Sequence, residues 1–193
     1  MADTLAATSP LQPLADRLAA LPRAAAVREE PFTTMVNLRV DAAGPGGAAV
    51  AADLGMALPA TATHAVAGDS SVIWLGPDEW LVTGTALTGR ALEERLRAVA
   101  GPHGGVATDV SAHYTTLRLR GAHARDVLAK GCAIDLHPGV FGAGSAAQTL
   151  LGRAGVILLA VDPDAGDYRI LVRSSFARHT AAWLMDAAEE YAQ

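Results

Sequence analysis

Between Tyr114 and Arg120 apolar and polar side chains take turns: Thr115, Leu117 and Leu119 alternate with Thr116, Arg118 and Arg120. A period of two fits a strand with one buried and one wet face. Gly121 ends it. From His123 to Lys130 the period changes, with Ala124, Val127 and Leu128 on one helical face. Gly131 stands where a left-handed residue closes a helix, and Lys130 occupies the last turn. Ala154 to Val161 is apolar throughout. It reads as a strand buried on both faces or a core helix segment, and its length and branched residues favour the strand. Asp162 to Asp167 forms a turn, and Tyr168 to Val172 pairs back as a hairpin. Ser174 or Ser175 can cap a last helix whose inner face is Phe176, Thr180, Trp183, Leu184, Ala187 and Tyr191.

The first half runs in the same order. Met35 to Val40 is a strand, Asp41 to Gly47 a loop, and Ala48 to Gly55 a helix. Val72 to Leu75 and Trp80 to Thr83 flank Gly76-Pro77-Asp78-Glu79, a hairpin with proline at a favoured turn position. Thr88 caps a helix in which Leu92, Leu96 and Val99 face inward and Glu93 supports Arg97; Gly101-Pro102 ends it. Strand 35–40, helix 48–55, hairpin 72–83 and helix 89–100 thus match strand 114–120, helix 122–130, hairpin 154–173 and helix 176–191. Even the lead-ins agree, Glu30 to Val36 paralleling Val110 to Leu117. The expected fold is α+β: two duplicated β-α-β-β-α modules, residues 31–102 and 103–193, each an antiparallel sheet covered by helices on one face. Before them lies an arm, residues 1–30. Its first ten residues read as loose, while Ser9-Pro10 can open a short helix along Leu11, Leu14, Leu18 and Leu21 that Pro22 stops. That helix docks on its own body or on a partner.

With 51% hydrophobic residues the 193-residue chain can build a sizeable core, and with 5% aromatics that core is Ala, Leu and Val. A net charge of −5 with scattered arginines argues against nucleic acid. One cysteine, Cys132, leaves neither an internal disulfide nor a cysteine zinc cluster. No apolar run approaches the roughly 20 residues of a membrane helix. The N-terminus lacks a basic start followed by an apolar segment, so a cytoplasmic protein is expected.

Candidate chemistry is sparse. Gly44-Pro45-Gly46-Gly47-Ala48-Ala49 fits the dinucleotide pattern G-x-G-x-x-A, but no acidic residue follows at the right distance, and a flexible loop is the plainer reading. Gly142-Ala143-Gly144-Ser145 reads as a surface loop. The six histidines never fall into a metal-ligand pattern. Cys132 and His137 could pair as nucleophile and base, yet Cys132 follows a helix C-terminus, which disfavours a thiolate; a buried structural cysteine fits better. Trp74 and Trp80 face each other across the Gly-Pro turn, as core or as interface anchors. Asp109 and Ser111 precede a strand and can cap backbone groups.

Several segments also carry a family resemblance: Trp74 to Leu81, Asp109-Val110-Ser111, Thr115 to Leu119, Ala129 to Pro138, Gln148-Thr149-Leu150 and Arg173 to Ala177. Together, in order from about residue 10 to 191, they resemble the gamma subunit of heterotetrameric sarcosine oxidase. Its wider relatives are the folate-binding domains of aminomethyltransferases, whose fold agrees with the duplicated unit. The resemblance implies a subunit of an assembly that oxidatively demethylates sarcosine to glycine, with alpha, beta and delta subunits as partners. It implies FAD, FMN and NAD on the large subunits and zinc on the smallest, with none of them bound by this chain. It implies one-carbon transfer to tetrahydrofolate in the alpha subunit, and no catalytic residue here. Where aminomethyltransferases carry G-G-V-I-D-D, this chain has Ala154-Gly155-Val156-Ile157-Leu158-Leu159, and leucine can neither stabilise a cation nor move a proton. Ser111-Ala112-His113 departs too, since those enzymes often place histidine directly after the serine. Trp74, Trp80, Asp109, Ser111 and Arg118 are the candidate subunit interface. The alternatives are a free-standing folate-binding, aminomethyltransferase-like enzyme and a cysteine-dependent enzyme built on Cys132.

Overall fold

A computed structural model describes residues 7–192. Of the ten residues expected to be loose, 1–6 lie outside the described residues, and Ser9 is instead buried, its hydroxyl donating to Glu29 and accepting the Leu11 N–H at 3.0 Å. Ten strands make two antiparallel five-stranded sheets. The first sheet holds, from edge to edge, β3 (His64–Ala67), β4 (Ser70–Gly76), β5 (Glu79–Gly84), β2 (Thr34–Arg39) and β6 (Val106–Asp109). The second holds β1 (Ala26–Glu30), β7 (Tyr114–Arg120), β10 (Asp167–Arg173), β9 (Ala154–Asp162) and β8 (Ala146–Leu151). The helices are α1 (Ala15–Ala19), α2 (Pro45–Leu54), α3 (Gly89–Ala100), α4 (Ala124–Ala129) and α5 (Ala177–Ala188).

Side-chain alternation turns each sheet into a wall with two faces. On the first sheet Val36, Leu38, Val72, Trp80 and Val82 face α2 and α3, meeting Val50, Leu92 and Leu96. On the second, Leu117, Leu119, Leu158, Tyr168 and Ile170 face α4 and α5, meeting Val127, Leu128, Ala181 and Leu184. The opposite faces meet each other through Met35, Ile73 and Leu81 against Ala146, Ile157, Leu159 and Leu171. The order is helices, sheet, sheet, helices. This is the α+β pair of helix-covered antiparallel sheets that the repeat implied.

Two strands cross between the halves. β1, just before the first half, pairs with β7 of the second sheet, while β6, just before the second half, pairs with β2 of the first. Each lead-in strand therefore closes the other sheet. The loop Gly142–Ser145 is a seam rather than a free surface loop. His64 donates its backbone N–H to Gly144 O at 2.8 Å, Ala146 donates to Ala62 O at 2.8 Å, and Gly144 donates to Ala160 O at 2.9 Å.

Local chemistry explains most boundaries. Thr88 Oγ1 accepts the Ala91 N–H and caps α3, and Glu93 pairs with Arg97 along that helix. α2 starts three residues before the expected Ala48, because Pro45 sits at its first positions behind Gly44. Ser174 caps nothing; its hydroxyl donates to Ala112 O at 3.0 Å, and α5 begins with no side-chain cap. Phe176, expected inside, is 45% exposed because a short 3-10 turn precedes α5 and rotates it off the inner face. Gly131 closes no left-handed turn: a Cβ there would lie 2.4 Å from Trp183 Cζ2, so close approach is what requires glycine. In the arm, Leu11 and Leu18 are buried and Leu14 and Leu21 pack half-buried on the second sheet's core. The arm docks on its own body.

Candidate subunit interface

The tryptophans oppose each other in register on β4 and β5, and both point to the helix side. Trp80 is 2% exposed and its Nε1–H donates to Pro59 O at 3.0 Å. A buried indole with its donor satisfied is core. Trp80 thus offers no surface to a partner, because the pleat turns it toward α2 and α3. Trp74 packs half-buried on the same cluster.

Asp109 and Ser111 form a clamp at the end of β6. Asp109 Oδ1 accepts the Ser111 N–H at 2.9 Å and the Ser111 hydroxyl at 2.6 Å. Ser111 Oγ accepts the Met35 N–H at 2.9 Å, and Val110 N donates to Met35 O at 2.9 Å. The pair extends the β2–β6 ladder past its last residue, which is the capping role the sequence suggested. Gly89 must be glycine beside it, since a Cβ would come within 2.2 Å of Asp109 Oδ2.

Arg118 lies on the face of β7 that turns toward the first sheet. Its Nε and Nη2 donate to Asp167 Oδ1 and Oδ2 at 2.9 and 2.7 Å, a bidentate pair, and Nη1 donates to Glu30 Oε1 at 3.2 Å. Glu30 also accepts from Arg169 Nε at 2.8 Å. The Arg118 guanidinium holds the Asp167 carboxyl below the usual carboxylate range, and Arg120 and Arg169 add to this. The structure brings Asp109 and Ser111 together, leaves Arg118 in its own network, and separates both from Trp80.

Between the sheets is a hollow of about 400 Å³ with Glu30, Asp69, Ser71, Thr83, Arg169 and Leu159 on its walls. Both acids there are engaged. Glu30 is paired with two arginines, and Asp69 accepts from the Thr85 and Ala86 N–H groups, each at 2.7 Å, and from the Thr85 hydroxyl. Those bonds hold the Asp69 carboxyl below its ordinary range. Leu159 faces the hollow and Leu158 the helices, both buried.

The other sequence candidates resolve into packing. Gly46 and Gly47 lie buried inside α2, and a Cβ on Gly47 would sit 2.4 Å from Ala42 O, so these glycines let the helix approach its own lead-in instead of forming a flexible loop. Cys132 carries a buried free thiol while its backbone pairs with that of Leu151, and His137 Nδ1 accepts the Gly139 N–H at 3.1 Å within its own turn. Among the described residues no group of three or more His, Cys, Asp or Glu could hold a metal ion, and no helix is long and apolar enough to cross a membrane. Sequence periodicity did not mark Phe32 as 65% exposed with φ 56°, nor Leu150 as exposed. The only hint of Phe32 was an aromatic placed directly after a proline in a lead-in.

The comparisons agree with this architecture. The model of the sarcosine oxidase, gamma subunit family matches residues 39–190. The chain is 42% identical over 172 residues to sarcosine oxidase subunit gamma of Corynebacterium sp. (strain U-96), covering 88% of this chain and 82% of that one. It is 39% identical over 189 residues to sarcosine oxidase subunit gamma of Arthrobacter sp, covering 95% and 91%. Among solved structures it is similar to a chain of heterotetrameric sarcosine oxidase from Corynebacterium sp. U-96 in complex with pyrrole 2-carboxylate, with a TM-score of 0.87, 39% identity and 97% of each chain covered. The glycine cleavage system aminomethyltransferase T from Bartonella henselae shares the fold, with a TM-score of 0.61 at 12% identity over 89% of this chain and 48% of that one. The chain belongs to the sarcosine oxidase gamma subunit family.

Proposed function

We propose that this chain is the non-catalytic gamma subunit of a heterotetrameric sarcosine oxidase, and that it works by shape and contact. Its partners in this reading are the alpha, beta and delta subunits. FAD, FMN and NAD sit on the large subunits and zinc on the smallest, and the assembly demethylates sarcosine to glycine and passes the one-carbon unit to tetrahydrofolate. The observation that carries the reading is the hollow between the sheets. Leu159 stands on its wall, and each carboxylate there is already paired or hydrogen-bonded. A carboxylate whose oxygens are already taken up by arginines or backbone donors is poorly placed to take a proton from a substrate. The test is co-expression with and without the large subunits. A chain that copurifies with them in fixed proportion supports the reading, and a monomer that never joins them removes it.

One observation favours a second reading. Glu30 and Asp69 do reach a hollow of about 400 Å³, within the range of small-ligand sites. A free-standing folate-binding enzyme would use them. Titration of the isolated chain with tetrahydrofolate decides: saturable binding that Glu30→Gln abolishes supports this second reading, and a flat titration eliminates it.

A further inference from the structure

On the face that turns toward the first sheet, the second sheet carries a row of like charges that runs out to its β1 edge. Arg28, Arg118 and Arg169 stand directly opposite one another on β1, β7 and β10, and Arg120 follows two residues along on the same face. Like charges directly opposite on neighbouring strands repel, so such a row needs counter-charges. Two stand on the same sheet. Asp167 takes Arg118 and lies 3.3 Å from Arg120, and Glu30 takes Arg169 and Arg118. A third carboxylate, Asp69 of the first sheet, lines the same hollow as Arg169, so the four arginines keep a surplus of one positive charge on a chain whose formal net charge is −5. Among the described residues Arg28 forms no ion pair; it is exposed, and the Arg120 side chain is 61% exposed. The first sheet covers this face around Ala146, Ile157, Leu159 and Leu171 and leaves the Arg28 and Arg120 end exposed.

β1 then runs into Phe32. This side chain is 65% exposed, and its φ of 56° is one that bulky residues rarely adopt. Arg28 and Phe32 line one hollow of about 480 Å³. An exposed aromatic at a left-handed φ is unfavourable in the lone chain, and the arginine on the same hollow forms no ion pair. Arginine and aromatic side chains together are what the centres of protein interfaces are enriched in.

We infer that this face docks an acidic stretch of one of the larger subunits, with carboxylates on Arg28 and Arg120 and an apolar side chain over Phe32. The inference rests on the subunit reading above and names the surface that reading leaves open. The test uses the full chain co-expressed with the large subunits, with association measured across a salt series. The wild-type chain should bind and weaken as salt rises. Arg28→Glu with Arg120→Glu should associate at least about tenfold more weakly at a temperature where it is fully folded, its melting point being lowered by the new charge beside Asp167. Phe32→Gly should also associate more weakly, with a melting temperature equal or higher. Arg125→Glu with Arg153→Glu, exposed positions off this face, makes the same charge change and should bind as the wild type. Wild-type binding by the Arg28/Arg120 variant, or equal loss in the Arg125/Arg153 variant, overturns the assignment and leaves the subunit reading standing. Failure of the wild-type chain itself to bind overturns both.

Discussion

Asp167 is a nearly buried carboxylate, its side chain 6% exposed, and it is tolerated because Arg118 meets both of its oxygens. Truncating Arg118 leaves that charge with Arg120 alone, at 3.3 Å. Removing one partner of a buried pair costs about 3–5 kcal/mol, and Arg118 is a quarter exposed, so Arg118→Ala should lose about 2–3 kcal/mol at pH 7. The sign with pH follows from the depressed Asp167 carboxyl. Its contribution is present above the ordinary carboxylate range and is lost as pH falls through the lower folded value. Urea unfolding should show a large gap between wild type and Arg118→Ala at pH 7 and a small one at pH 3; equal gaps would count against the account. Gly131→Ala should cost about 1–3 kcal/mol by the same measurement, because the new methyl meets the Trp183 ring and, at 3.0 Å, the backbone of Gly152. That contact could not be read from the sequence. A glycine after a helix looks the same whether it serves a left-handed turn or a neighbouring ring.

Among the elements, the sequence showed the interior and missed the margins. β2, β4, β5, β7, β9 and β10, all central in their sheets, had alternating or continuous apolar runs. β1, β3, β6 and β8 are the four sheet edges, and none was legible. An edge strand has one pairing partner and little to bury: Ala-Val-Arg-Glu-Glu in β1 buries only Val27, and Ala-Ala-Gln-Thr-Leu-Leu in β8 leaves Gln148 and Leu150 exposed. Charged, short edges are also how sheets avoid pairing with other chains, so their pattern is weak by nature. The arm was legible from its leucine spacing, and its burial makes a prediction. Leu11→Ala should destabilise by about 2–4 kcal/mol and the half-buried Leu14→Ala by clearly less. Equal small effects in thermal unfolding would mean that the arm is not seated on the second sheet.

At the scale of the whole molecule, the sheets are joined by exchanged lead-in strands and by the seam at Ser145. His64 sits in that seam, its ring Nδ1 3.2 Å from Ser145 O, and burial pushes its imidazole below the usual histidine range, with Arg169 adding to the effect. A histidine depressed in the fold takes up protons more readily when unfolded. Stability is therefore whole above about pH 6.5 and falls as pH drops toward the folded value. His64→Gln should flatten that fall between about pH 7 and 5; an unchanged slope would place the acid sensitivity elsewhere. The repeat was legible because both halves kept their central strands and helices. The exchange of lead-ins was not, since pairing across halves leaves no mark on local periodicity. Of the candidate residues, Asp109 and Ser111 lock the β2–β6 edge of the first sheet, Arg118 ties strands within the second, and Trp80 is core, whereas the exposed Phe32 went unseen. The account's central claim is that this subunit contributes contact and no chemistry. The most direct measurement is the sarcosine turnover number, per assembled complex, of a chain carrying Glu30→Gln and Asp69→Asn. An unchanged turnover number is expected, and a loss of tenfold or about that in fully assembled complex would contradict it.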